Sequence, residues 1–317
     1  METIKCLKCN GEMGMNEYKL TCKNGECGNE NTITEIIASY YENKEFKNII
    51  ELSDEILTHV WVEESEDNQE DGMVDGEECK SKPIKIFKIK DNEEKKIIAD
   101  VLYFYSFALV NLNLYEKSNE IRDAAIQLMM ELGECRLLDE PLKLARLLIY
   151  RGAFYRNIGQ IIWCTEDYGI ALEIMEGFIH KEDLNITKKY TDLLIERGAA
   201  FEQFEMLGEA LQQYRKAYDV RLNLAKKDEC YIDEYLGVCY EVVKLLDMME
   251  EHHRVMKYVE DMDFMVEGKN IIDEGEKAII EINKIMIKAE EIERKRVAKE
   301  MKKEKGGFFS KLFNKNN

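Results

Sequence analysis

Proline is almost absent from this chain, with only Pro83 and Pro141 in 317 residues. Proline breaks helix interiors and central strands, so its scarcity leaves long helices uninterrupted. Cysteine is sparse too: nine residues, mostly scattered beyond the first thirty positions, a usage that suits a reducing compartment. Met1 to Cys9 holds no apolar run of the signal-peptide kind, and the expected location is cytoplasmic. Long apolar stretches are missing as well. Ile97 to Tyr115 comes nearest, but Asp100, Ser106, Asn111 and Asn113 interrupt it, short of the run of about 20 residues a bilayer demands. It reads as a buried helix. Basic charge falls short of acidic, 45 Lys and Arg against 64 Asp and Glu, for a net charge of -19. Phosphate backbones need a basic surface, so nucleic acid is an unlikely partner.

Catalytic signatures are also wanting. The chain has no G-x-G-x-x-G, P-loop, H-E-x-x-H or G-x-S-x-G. Its four histidines are His59, His180, His252 and His253. The last two are adjacent, about 100° apart on a helix, which makes a poor shared metal site. The expectation is a protein that is not an enzyme. A composition of 45% hydrophobic and 34% charged residues fits a helix-rich globular chain.

A residue ladder organises the middle of the sequence. Gly152 is followed by Tyr155, Cys164, Tyr168 and Ala171; Gly198 is followed by Phe201, Ala210, Tyr214 and Ala217. The offsets are 3, 12, 16 and 19 in both copies. Steps of three and four share a helix face, and the nine-residue gap leaves room for a tight turn. Each copy therefore reads as a helical hairpin in which a small residue admits the opposing helix. This ladder resembles the tetratricopeptide (TPR) repeat, with small and aromatic residues on its first helix and Ala–aromatic–Ala on its second. The copies start 46 residues apart, against about 34 in the family, which implies longer helices. The fold class expected is mainly α: stacked TPR-like helical hairpins, an α-solenoid, with a small N-terminal β zinc ribbon.

Weaker copies extend the array. Ile37, Tyr40, Ile49, Ser53 and Ile56 keep the offsets, as do Ser106, Leu109, Ser118, Arg122 and Ala125, and then Gly237, Tyr240, Met249, His253 and Met256. Five hairpins are expected, with Cys164 and His253 as packed core residues. Thr32 and Glu35 have the spacing of a capping box for the first helix, and Asp91 or Asn92 can cap the third. Between them, Glu63 to Cys79 holds nine acidic residues and no basic one. Such a run self-repels and reads as a solvated insert. Asp67, Glu70, Asp71 and Asp75 could bind calcium, but their spacing is not that of an EF-hand. Residues 263–305 read as a long last helix, interrupted near Gly268 or Gly275, whose apolar positions close the stack and whose other face is polar. The domain order expected is 1–31 ribbon, 32–62 first hairpin, 63–90 insert, 91–268 hairpins, 269–305 capping helix and 306–317 tail.

The ribbon rests on Cys6, Cys9, Cys22 and Cys27, two pairs with Gly11 and Gly28 just beyond. Thiolates so spaced can grip one metal, while glycine lets the backbone turn towards the sulfurs. Met13–Met15 and Tyr18–Thr21 between them suit a short hairpin. A pair of disulfides is the alternative in a secreted chain; a redox Cys-x-x-Cys would need a thioredoxin-like context. The segment resembles a zinc ribbon, which implies a structural Zn²⁺ on the four cysteines with no open position for catalysis. Lys5, Lys8, Lys19 and Lys23 are outnumbered by Glu2, Glu12, Glu17, Glu26 and Glu30, favouring a protein contact or a simple cap.

From Arg294 onward, nine Lys or Arg face only Glu300 and Glu304. At 100° per residue Phe308, Phe309, Leu312 and Phe313 share one arc, with Ser310, Lys311, Asn314 and Lys315 on the other. Gly306 and Gly307 are expected to uncouple this short amphipathic helix from what precedes it. It resembles the C-terminal membrane-targeting tail of the Min-system cell-division ATPases, which implies contact with an anionic membrane surface; a groove on a partner protein is the other reading. Ordering about ten residues, at roughly 1–2 kcal/mol each, offsets much of the gain from four buried side chains, so a single tail binds weakly.

TPR-like stacks present their first helices to a partner, and by the ladder's phase Arg156, Asn157, Glu202 and Gln203 are the candidate groove residues. Two functional readings follow. One is a non-enzymatic scaffold binding a protein or peptide, tethered by its tail; the other is a regulatory sensor whose groove binds a peptide or another enzyme and modulates it. Metal analysis of the purified full chain should find stoichiometric zinc, lost in Cys9→Ser and Cys22→Ser variants; metal content indifferent to both would overturn the ribbon.

Overall fold

The computed structural model describes residues 13–16, 19–22, 30–60, 89, 91–179, 184–269 and 271–313, with side chains described over 31–58, 89, 91–179, 184–269, 271–272 and 274–301. Three short strands come first: β1 (Met13–Asn16), β2 (Lys19–Cys22) and β3 (Glu30–Thr32), an antiparallel meander. The expected hairpin is present, pairing Met13 with Cys22 and Asn16 with Lys19, and β3 adds a third strand to it. Cys6, Cys9 and Cys27 lie outside the described residues, as does most of the acidic insert.

Eleven helices follow among the described residues. Ten form five hairpins: α1 (Ile33–Glu42) with α2 (Phe46–Val60), α3 (Asn92–Asn111) with α4 (Tyr115–Glu134), α5 (Pro141–Asn157) with α6 (Ile161–Ile179), α7 (Leu184–Gln203) with α8 (Leu207–Lys227), and α9 (Ile232–Met248) with α10 (His252–Val266). The last is α11 (Asp273–Phe313). The chain divides into two compact units, 1–153 and 154–317. The first holds the sheet, α1–α4 and most of α5; the second holds the end of α5 and α6–α11.

Local chemistry starts these helices where the sequence places them. Thr32 accepts from the Glu35 N–H while the Glu35 carboxylate accepts from the Thr32 N–H at 2.9 Å, the reciprocal capping box. That bond holds the Glu35 carboxyl below its ordinary pKa. Asp91 caps α3 through the Glu94 N–H at 2.9 Å. Pro141 is the first residue of α5, where a missing N–H has little consequence.

One turn closes all five hairpins. Lys44, Asn113, Gly159, Glu205 and Glu250 have φ between 58° and 77°, and each is followed by a residue whose N–H bonds back to the first helix. The acceptors are the carbonyls of Tyr40, Leu109, Tyr155, Phe201 and Leu246, at 2.8–3.0 Å. This is the Schellman arrangement, which satisfies helix-end carbonyls through one left-handed residue. Four of the five left-handed residues are not glycine, although the conformation costs a residue with a Cβ roughly 1–2 kcal/mol.

The turn also fixes the ladder's phase, since in the first four hairpins the left-handed residue lies seven positions after the first ladder residue. In these hairpins the ladder is buried, save Tyr155, which is half-buried. Counting back from Glu250 gives Val243, Leu246, Val255, Val259 and Met262, all buried. The set expected from Gly237 is therefore six residues out of phase: Gly237 and His253 are exposed, and His252 is the buried histidine. Apolar residues recurring every three or four positions match a ladder in more than one phase, and no small residue marks the true one.

Close approach is explicit in the fourth hairpin. A Cβ on Gly198 would lie 2.7 Å from Cε1 of Tyr214. The second hairpin builds the same contact from polar groups: Ser118 Oγ donates to the Ser106 carbonyl at 2.8 Å, and buried Arg122 donates to Ser118 Oγ at 3.1 Å.

The break before the last helix falls at Gly268 (φ 69°), so residues 263–266 belong to α10 and Gly275 lies inside α11. There a side chain would strike Asp233 and Ile271, and Asp233 accepts from the Ile272 N–H at 3.2 Å. α11 packs on α9 and α10 through Ala278, Ile282 and Ala289. Its backbone continues through Gly306 and Gly307 to Phe313 without the expected break. Its outward side is not the polar face expected of a cap, because Ile280 and Ile287 are exposed on it.

Thermal melts should separate the glycines. Gly198→Ala should cost about 1–3 kcal/mol by overpacking, and Gly159→Ala about 1 kcal/mol for its positive φ. Gly237→Ala, mid-helix with open space around it, should be neutral or stabilise by up to about 1 kcal/mol.

Candidate functional site

The helix α3 is written as Tyr103-Phe-Tyr-Ser-Phe107. At 100° per residue Tyr103, Phe104 and Phe107 share an arc, and Tyr105 points the other way. Tyr105 is fully buried, its hydroxyl donates to Asp54 on α2, and Lys117 sits 3.2 Å from the same carboxylate. That side of α3 is structural. The other side meets the first helices of the neighbouring hairpins within unit 1. Tyr41 of α1 lies 5.5 Å from Phe104 and 6.5 Å from Phe107 between ring centres. Phe107 lies 5.0 Å from Tyr103 and 5.0 Å from Tyr150 of α5. Edge-on geometries predominate, as ring quadrupoles prefer.

Arg146 of α5 is laid over this floor. Its guanidinium is 4.4 Å from the centre of Phe107, and it donates to the hydroxyls of Tyr103 at 3.1 Å and Tyr41 at 3.5 Å. Burial raises the Tyr103 phenol above its ordinary pKa, so it stays a neutral acceptor. Arg146 is exposed and has no carboxylate within ion-pair distance among the described residues. Its neighbours differ: Lys143 holds Asp100 at 2.8 Å, and Arg151 holds Asp123 at 3.1 Å. Arg146 is thus an exposed guanidinium held by phenols and a ring face. Tyr150 is 42% exposed beside it, while Phe104 and Tyr41 are half-buried.

The residues expected in a groove lie in unit 2. Arg156, on the last turn of α5, is ion-paired to Glu196 of α7. Glu202, on the last turn of α7, accepts from the Tyr214 hydroxyl at 3.0 Å and pairs with Lys244 of α9 at 2.9 Å. Asn157 and Gln203 follow or close those helices and are exposed. Two of the four thus act as struts between consecutive first helices. The pattern repeats at the corresponding residue of α9, where Asp247 holds Lys288 of α11 at 2.7 Å. Buried Arg221 staples α7, α8 and α9: it is paired to Asp192 and donates to Thr191 Oγ1 at 3.2 Å and to the Glu234 carbonyl at 3.0 Å.

The aromatic floor and Arg146 escaped the sequence reading. The only signal is the run of rings at residues 103–107, which in sequence reads as a buried helix, and nothing in sequence says that α1 and α5 flank it. Cys164 and Cys239 are buried, and burial pushes their thiols up to about 11 and about 12, so both remain protonated core side chains. Among the described residues no group of three His, Cys, Asp or Glu is placed to hold a metal ion. Cys22 is placed on β2, and Phe308, Phe309, Lys311, Leu312 and Phe313 fall on the backbone of α11, while Lys315 lies outside the described residues. Among the described residues no helix is long and apolar enough to cross a membrane.

Glu202→Ala should cost about 1–3 kcal/mol in thermal melts, because it strips partners from buried Tyr214 and from Lys244. Gln203→Ala should stay within about 0.5 kcal/mol. Equal effects would show that Glu202 is no strut.

No family model matches the chain, and no curated protein matches it. Among solved structures it is similar to BtubC (BKLC) from P. vanneervenii, at 12% identity and a TM-score of 0.44, covering 80% of this chain and 78% of that one. It is also similar to a putative kinesin light chain with nearly identical TPR-like repeats from Podosopora anserina, at 10% identity and a TM-score of 0.43, covering 73% of this chain and 92% of that one. At these TM-scores neither likeness bears weight; the helical-hairpin architecture stands on the turns and burial described above.

Proposed function

We propose that the chain is a non-enzymatic interaction scaffold whose α1–α3–α5 face binds a segment of a partner protein. The segment that fits carries a carboxylate for Arg146 beside an apolar or aromatic anchor for Phe104 and Tyr150. The supporting observation is the exposed guanidinium held in place without a carboxylate of its own. Planar guanidinium recognises carboxylate by two parallel bonds, and rigid rings add contact area at little entropic loss. Preorganisation by Tyr103, Tyr41 and Phe107 lowers the ordering that binding requires.

Two further parts belong to the same reading. A structural Zn²⁺ on Cys6, Cys9, Cys22 and Cys27 would staple the small sheet to the first helix. The strand register supports convergence of the cysteine pairs: β2 returns Cys22 beside Met13, four residues after Cys9, and β3 pairs Thr21 with Glu30, three residues after Cys27. The tail would tether the scaffold weakly to an anionic membrane or to a partner. Its helix is continuous with α11, so Arg294 to Phe313 spans about 30 Å beyond the packed part of α11, enough to hold an acidic body off an acidic surface.

A displayed library of random peptides, panned against the full chain, should enrich sequences with Asp or Glu beside a bulky apolar residue. Arg146→Ala and Phe104→Ala should each weaken the selected peptides about tenfold or more. Peptides indifferent to both substitutions would remove this face as the binding site. Liposomes rich in anionic lipid should co-sediment the full chain more than a version ending at Lys305; equal sedimentation excludes the membrane role of the tail.

A further inference from the structure

Two arginines meet the ring pair of Phe107 and Tyr150, and Arg146 is the exposed one. The other is Arg122 of α4, 3% exposed, at the ladder position that Tyr168 and Tyr214 hold in the next two hairpins. Its guanidinium lies 5.8 Å from the centre of the Tyr150 ring, which is 5.0 Å from that of Phe107. Nη1 donates to Asn119 Oδ1 at 2.8 Å and Nη2 to Ser118 Oγ at 3.1 Å, while buried Nε has no partner. Among the described residues no carboxylate comes within ion-pair distance of Arg122, and its neighbour Asp123 holds Arg151 at 3.1 Å instead. Burial lowers the Arg122 pKa, yet an arginine keeps its charge in such a place. The fourth hairpin meets the same position differently. There Tyr214 donates to Glu202, four residues after Gly198, whereas four residues after Ser106 stands Val110. Tyr150 itself corresponds to Glu196, the acid that answers Arg156 one hairpin later. Where later hairpins supply an anion, the second leaves a buried cation beneath a half-exposed ring.

We propose that the acidic group this face takes is a dianion, the phosphate monoester of a phosphorylated residue, and that Arg122 selects it over a single carboxylate. The proposal rests on the reading of the α1–α3–α5 face as a peptide site and names the partner's chemistry there. A carboxylate answers Arg146 and leaves Arg122 without a counter-charge. A phosphate monoester carries about −1.5 to −2 at pH 7, and the attraction of a fixed cation grows in proportion to that charge. Arg146 supplies the direct bonds, because its parallel donors suit phosphate as well as carboxylate. Arg122 does not touch the group. It acts across the Tyr150 ring, from an interior where salt screens little, and so determines specificity rather than contact.

The probes are phenyl phosphate and benzoate, one ring carrying a dianion and the same ring carrying a carboxylate. They are titrated into the full chain with isotope-labelled arginine, followed by NMR at the Nε resonances. Arg146 should respond to both probes and Arg122 to phenyl phosphate, which should bind about tenfold more tightly than benzoate. Arg122→Met should weaken phenyl phosphate more than benzoate and bring that ratio to about threefold or less, the share left to Arg146. Methionine fills much of the same space without a charge, so this variant should melt at or above the wild-type temperature. A ratio unchanged by Arg122→Met, equal affinities in the wild-type chain, or an Arg122 resonance indifferent to phenyl phosphate would each overturn the dianion. Loss of both probes in Arg146→Ala would in those cases leave the peptide face standing. An Arg146 resonance that ignores both probes would remove the face, and this proposal with it.

Discussion

The approach of one helix to the next in the second and fourth hairpins depends on what occupies the first ladder position. Where that residue is glycine, as at Gly198, the tyrosine sixteen residues later can lie against bare backbone; a single methyl group would close the gap. The left-handed turn must fall seven residues on, and the second helix must then present small residues for the next contact. The second hairpin meets the same geometric demand with serines and an arginine, which shows that the constraint is on size and hydrogen-bond satisfaction rather than on residue type.

That is also why the sequence was legible in some places and opaque in others. Gly152 and Gly198 sit beside aromatic partners at fixed offsets, a combination that few alternatives mimic, and both hairpins form where the ladder puts them. Thr32 with Glu35 and Asp91 with its acidic first turn mark helix starts through local bonds that need no tertiary information. Gly237 misled, because an exposed mid-helix glycine looks in sequence like a packed one. Only Glu250, a residue with no evident preference for a positive φ, locates the true turn.

Sites were harder to read than hairpins for a related reason. Arg156 and Glu202 stand at corresponding positions, and phase alone suggested a surface for a partner. Their charges instead find partners one hairpin further on, which no local pattern reveals. Arg146 is the converse: an ordinary helix residue in sequence, made distinctive by three rings and two hydroxyls from α1, α3 and its own helix. Meaning there comes from hydroxyls 43 and 105 residues away in the chain.

The row of charged struts gives the second unit a mechanical character. Arg156–Glu196 and Glu202–Lys244 join consecutive first helices, and Asp247–Lys288 joins the last of them to α11, while buried apolar side chains supply most of the remaining cohesion. Ionic strength screens partly exposed pairs over a Debye length of about 8–10 Å and leaves apolar contacts intact or strengthened. Raising salt therefore weakens these struts while the apolar contacts between the helices stay intact.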